Sequence, residues 1–169
     1  MNDQTHVDLQ SIARQVMLDH GFEPDFPPAV QQQVASLSQK PPLPSSGGDV
    51  RDLRSLLWSS IDNLTSRDLD QVEYVEPLPD DTIKVLVGIA DVDAFVAHDS
   101  AIDAHAFVNT TSVYTGVATF PMLPEELSTD KTSLLEGQDR LAIVIEFHVA
   151  ADGSAKTQDV YPAFVRNYS

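Results

Sequence analysis

Residues 141–149 read LAIVIEFHV, and after the turn residues Ala151-Asp152-Gly153 the stretch Ala155 to Val165 follows. A nine-residue apolar run rich in β-branched residues predicts a strand, and an Asp-Gly turn predicts that the next segment pairs back on it. Working outward, Val72–Val75 and Ile83–Ile89 are β-rich runs joined by Leu78-Pro79-Asp80-Asp81, which predicts a second hairpin. Between the hairpins, DSAIDAHAFVN from Asp99 has helical spacing, with Ser100 or Asp99 as its cap. Strands dominate, helices are interspersed and no repeat is present, which predicts a mixed α/β or α+β domain.

The amino-terminal part reads differently. Leu9, Ile12, Ala13, Val16 and Met17 lie at helical spacing in residues 8–20, closed by Gly21. A second short helix is predicted in PPAVQQQVASL, with Val30, Val34 and Leu37 on one face. KPPLPSSGG, residues 40–48, has the composition of a linker. The expected organisation is a helical segment over 1–39, a linker over 40–49 and a strand-rich domain over 50–169.

Composition narrows the function. The formal net charge is −16, from 26 acidic and 10 basic residues. Binding to phosphate backbones normally uses a basic surface, so a nucleic-acid reading needs cations from elsewhere. The absence of cysteine excludes disulfides and thiolate metal sites. No apolar run approaches the roughly 20 residues of a membrane-crossing helix, and the first residues lack the order of a signal peptide. The expected location is the cytoplasm.

SIDNLTSRDLDQ, residues 60–71, carries Asp62, Asp68 and Asp70 between two apolar stretches. Two carboxylates ~4 Å apart repel by about 4 kcal/mol at an effective dielectric of 20. Such a cluster therefore either splays into solvent as turn formers and caps, or holds cations. Mg²⁺ prefers carboxylate and water oxygens, and a pair of such ions suits phosphodiester hydrolysis.

Read together, RDLRSLLWSSIDNLTSRDLDQ, VLVGIADVDAFV, NTTSVYTGVATFPMLPEELS and DRLAIVIEF resemble the ribonuclease II/R (RNB) family in order and spacing over about residues 51–168. That resemblance implies an α+β fold, the mixed β-sheet core of the amino-terminal portion of an RNB catalytic domain, preceded by the short helical segment. It implies a processive 3′→5′ exoribonuclease that hydrolyses single-stranded RNA to nucleoside monophosphates with Mg²⁺, or Mn²⁺ in its place. Asp62, Asp68 and Asp70 become the catalytic metal ligands, and Tyr114 becomes a ring stacked on a terminal base. Three departures stand out. The family's fourth aspartate is Gln71, a weaker ligand through its carbonyl oxygen. The family's R-G-T-S-V-Y reads Asn109-Thr110-Thr111-Ser112-Val113-Tyr114 here. A long helical section that follows in the family, with an arginine at the scissile phosphate, has no counterpart before Ser169. The expected partners are single-stranded RNA, the remaining carboxy-terminal part of the domain, or a second copy joined through apolar surface near Leu141–Val149. The alternative is a catalytically silent RNB remnant that binds RNA or protein.

Other groups carry less. Asp91 and Asp93 are expected to cap the turn after a strand. His98, Asp99, Asp103 and His105 match no metal-ligand spacing, and both histidines are expected at the surface. Phe120-Pro121-Met122-Leu123-Pro124 is expected to be a buried crossing that starts a helix near Pro124 or Glu125. Trp58 and the seven phenylalanines are expected in the core.

Overall fold

A computed structural model of the chain describes residues 7–37, 49–63 and 65–169. The linker predicted over 40–48 lies outside the described residues. Close packing divides the chain into two units, 1–37 with 97–124, and 38–96 with 125–169. The predicted helical segment therefore shares its unit with a stretch taken from the middle of the chain.

The larger unit is built on a five-stranded sheet in the order β1-β7-β6-β3-β2. The strands are β1 (Arg51–Asp52), β2 (Gln71–Pro77), β3 (Ile83–Ala90), β6 (Asp139–Val149) and β7 (Ala155–Arg166). β2 and β3 form the hairpin predicted around Pro79. β6 and β7 form the other, with a bulge beside Glu146 and Phe147. Gly153, at φ +82°, closes the second turn in a conformation that disfavours any side chain. The hairpins join through antiparallel β3–β6 pairing, while β1 runs parallel to β7, so the sheet is mixed.

Strand periodicity gives this sheet two faces. One carries Val72, Leu86, Val144, Tyr161, Ala163 and Val165, closed over by Trp58 and Leu134. Trp58 is fully buried, and its indole N–H donates to the Leu53 carbonyl at 2.9 Å. Gly88 makes room for that ring: a Cβ there would meet Val72 at 3.2 Å and Trp58 at 3.5 Å. The other face carries Val75, Val85, Val87, Ile145, Phe147 and Val160, and is more open. Val75 is 57% and Val160 56% exposed. Runs apolar on both faces are the pattern of strands covered on both sides, which is why LAIVIEF shows no clean alternation.

The smaller unit contains α1 (Leu9–Asp19), α2 (Pro28–Ser36), α3 (Ala101–Asn109) and the ribbon β4 (Val113–Tyr114) and β5 (Thr119–Phe120). Asp8 caps α1 through Gln10 and Ser11, and Ser100 caps α3. His105 departs from expectation. It is 4% exposed rather than at the surface. Its Nδ1 lies 3.2 Å from Glu23 Oε2, its Nε2 faces the Asn109 amide at 3.0 Å, and Phe26 packs on its ring. Asn109 also binds both the N–H and the carbonyl of Glu23. The position where the family carries a basic group thus serves here as a latch between α3 and the chain after α1. The phenylalanines depart as well: none is among the fully buried residues, and Phe107 is 83% exposed. Residues 120–123 are half-buried, Pro124 is buried, and a helical turn follows from Glu125, continuing as a π-helical turn over Leu127–Lys131.

Candidate metal centre

The segment carrying Asp62, Asp68 and Asp70 leaves the sheet and returns to it. Ser59 and Glu73 exchange both backbone hydrogen bonds, at 3.0 and 2.8 Å, and so pinch the loop between them. Its second half is held from three sides. The buried Ser133 hydroxyl accepts the Leu69 N–H at 3.0 Å and donates to the Arg67 carbonyl at 2.7 Å. Leu134 N–H donates to the Leu69 carbonyl, and Ala90 N–H to the Asp70 carbonyl. Ser133 is itself braced by Arg140, whose guanidinium donates to the carbonyls of Ser133 and Asp130.

The consequence for the carboxylates is direct. Leu69 is buried in the core cluster, while Asp68 and Asp70 on either side of it are exposed. Burial of Leu69 thus leaves the carboxylates on either side of it open to solvent. Asp62, in the first half of the loop, is exposed too. The three do not form a group with all oxygens within 4.8 Å. Among the described residues that description fits His98, Asp99 and Asp103 instead. Those three sit at the start of α3, with His98 and Asp99 each 87% exposed at the side chain.

Two carboxyls near the loop are perturbed. Glu73 is pushed above the usual carboxylate range by burial and secondarily by the nearby Asp62 charge. Its Oε2 is buried and has no hydrogen-bond partner. Asp91, 7% exposed, is raised by burial, while its acceptance of the Ala94 N–H works in the opposite direction. That hydrogen bond, at 3.3 Å, is the turn contact expected of Asp91. Glu73 is a perturbed carboxyl that the sequence reading did not single out. The available signal was a carboxylate two residues beyond Gln71, which strand periodicity places on the same face.

Other motif residues lie outside the loop or at its end. Arg54 pairs with Asp52 and reaches Asp139 at 2.9 Å, and Asp139 also binds Arg166. The Arg54 side chain holds Asp52 at a pKa of about 2. This network ties the end of β1 to the start of β6 and the end of β7. Gln71, first residue of β2, is exposed. Tyr114 is 68% exposed on the β4–β5 ribbon.

The family model of the RNB domain matches residues 50–169. The chain belongs to the RNB family. It is 35% identical over 167 residues to ribonuclease R of Thermotoga maritima, spanning 98% of this chain and 23% of that protein. Among solved structures, Mycoplasma genitalium RNase R in complex with ribose-methylated single-stranded RNA matches with a TM-score of 0.82 and 32% identity. That match covers 95% of this chain and 25% of the other. Yeast Ssd1, a pseudonuclease, matches with a TM-score of 0.63 at 14% identity over 76% of this chain, a likeness of fold alone. The α+β sheet is therefore the amino-terminal portion of an RNB domain, and the RNB chain spans about a quarter of the length of the relatives it matches. No described helix is long and apolar enough to cross a membrane.

Proposed function

We propose that this RNB chain is the metal-binding amino-terminal portion of a cytoplasmic 3′→5′ exoribonuclease that hydrolyses single-stranded RNA to nucleoside monophosphates. One observation carries the reading: the exposed Asp68 and Asp70 flank the buried Leu69 in a segment whose backbone is bound by Ser133, Leu134 and Ala90.

The residues present fit a divalent cation. The donors are carboxylate oxygens, the hard ligands that Mg²⁺ and Mn²⁺ take, and a buried carboxylate oxygen of Glu73 lacks any partner. Asp62, Asp68 and Asp70 would hold the metal, with the Gln71 carbonyl oxygen a weaker donor beside them. When bound, divalent cations supply charge neutralisation at a scissile phosphate and lower the pKa of an attacking water. The chain itself supplies position. Ser133 and Leu134 hold the backbone at Leu69, between Asp68 and Asp70, and so order that part of the loop before substrate arrives. A net charge of −16 repels a polyanion, and cations held by these carboxylates would offset part of that charge. Tyr114 offers an exposed ring, and stacking of a base on such a ring contributes ~1–3 kcal/mol. The open sheet face fits apolar cover from the remaining carboxy-terminal part of the domain or from a second copy.

Gln71 favours a second reading. A neutral amide in place of the family's fourth aspartate leaves three formal negative charges, which suits a silent RNA- or protein-binding remnant. Degradation of a 5′-labelled poly(A) strand with Mg²⁺ or Mn²⁺ separates the two. Stepwise shortening from the 3′ end, lost in Asp70→Asn, is the expected result. No shortening by either protein would favour the silent reading of this chain.

A further inference from the structure

The smaller unit holds a cleft between α2 and α3, about 240 Å³ in volume. Its walls are Pro27, Ala29, Val30, Ala101, Ala104 and Val108, and its polar groups are Glu23 and His105. Small-molecule sites typically run to ~300–1,000 Å³, so this one leaves room for little more than a single side chain.

Glu23 stands in the cleft as a negative charge held in place. Asn109 accepts the Glu23 N–H at 2.8 Å and donates to the Glu23 carbonyl at 3.0 Å. Those two bonds turn the Asn109 amide nitrogen, a donor, toward His105 Nε2 at 3.0 Å. Nε2 therefore accepts, and the ring proton sits on Nδ1, 3.2 Å from Glu23 Oε2. In this arrangement His105 orients the carboxylate as a neutral donor and brings no positive charge to balance it. The Glu23 side chain is 49% exposed, which leaves it open to a further partner.

The surroundings supply no cation either. Among the described residues of this unit the acidic side chains are Asp8, Asp19, Glu23, Asp25, Asp99 and Asp103. Histidines aside, the basic one is Arg14, which is bound to Asp25. The complement of apolar walls with one negative charge is an aliphatic stem that carries a cation. Lysine and arginine side chains have that form. A phosphate backbone is repelled by the same charge.

We propose that the α2–α3 cleft docks a lysine or arginine side chain from a basic segment of a partner protein. The stem lies against Val30, Ala104 and Val108, and the cation meets Glu23. The site shares no residue with the acidic loop and stands whether or not that loop holds metal.

The test is amide NMR of the full 169-residue chain titrated with acetyl-Gly-Gly-Lys-Gly-Gly-amide, beside the same peptide carrying Arg or norleucine. Saturable shifts centred on Val30, Ala104 and Val108 are expected with Lys and Arg. Norleucine keeps the stem without the charge, and should bind at least ~10-fold more weakly, the scale of one hydrogen bond to a charged group. Glu23→Gln still accepts from His105, and should weaken the Lys peptide to the norleucine level. Ala104→Leu fills the cleft from an exposed helical position where leucine is well tolerated, and should abolish the shifts. Thermal melting of each variant separates lost docking from lost folding. Unchanged Lys affinity in a folded Glu23→Gln would overturn the proposal. Shifts spread evenly over the exposed acidic residues and indifferent to Ala104→Leu would overturn it as well. So would poly(A) shifting the cleft amides while the peptides leave them unmoved.

Discussion

The protein contains two acidic groups of similar composition, and they are built in opposite ways. His98, Asp99 and Asp103 bring their donor atoms within 4.8 Å of one another, yet all three come from six consecutive residues at a helix start. Asp62, Asp68 and Asp70 are not gathered so closely. The backbone around Asp68 and Asp70, however, is bound by Ser133, Leu134 and Ala90, and the Ser59–Glu73 pair closes the loop that carries Asp62. Closeness of exposed side chains is easily rearranged by rotamer changes, since each long or polar side chain retains its freedom in water. A fixed backbone is not. Preorganisation, rather than momentary proximity, is what lets a site hold a metal against the repulsion among its own ligands.

The largest effect is expected at the anchor of the 62–73 loop. Ser133 is 1% exposed and makes two hydrogen bonds to the loop. Ser133→Ala leaves the buried Leu69 N–H without its acceptor, and a loss of about 1–3 kcal/mol in unfolding free energy is expected by denaturant titration. Mn²⁺ affinity should fall with it. Retention of full affinity would show that the anchor does not set the carboxylates.

Asp91 sharpens the picture by pH. Burial raises its pKa above the unfolded value. The folded state then holds a proton that the unfolded state has lost, so stability falls as pH rises through the window just above the ordinary aspartate range. Asp91→Asn keeps an acceptor for the Ala94 N–H and removes that dependence. Thermal midpoints should match the parent's near pH 4 and exceed it near pH 7. An unchanged difference across that range would contradict the burial argument.

The smallest effect belongs to the other acidic group. His98 is 87% exposed and lies 3.3 Å from Asp103 across open solvent. His98→Ala should alter stability by no more than about 0.5 kcal/mol and leave Mn²⁺ affinity unchanged. A tenfold loss of affinity would move the metal centre to α3.

Much of the fold was legible because its signals are local. The runs at β2–β3 and β6–β7 announce both hairpins, and Asp8 and Ser100 are adjacent to the helices they cap. What stayed hidden is carried by partners distant in sequence. Ser133 reads as an ordinary polar residue until Arg67 and Leu69, more than sixty positions earlier, come to its hydroxyl. His105 reads as a surface histidine until Glu23 and Phe26 close over it. The phenylalanines were placed inside by hydrophobicity alone, a rule that fails for Phe107. In the candidate site, the three aspartates and Gln71 stood out through the family pattern. Glu73 did not, because its significance lies in a buried oxygen rather than in a motif.

Paramagnetic broadening of amide resonances on titrating Mn²⁺ into the full chain reads which acidic group holds a cation. Broadening that begins at residues 62–73 and reaches 98–103 only at much higher Mn²⁺ is the predicted result. Broadening that begins at 98–103, or that appears evenly across all exposed carboxylates, would contradict it.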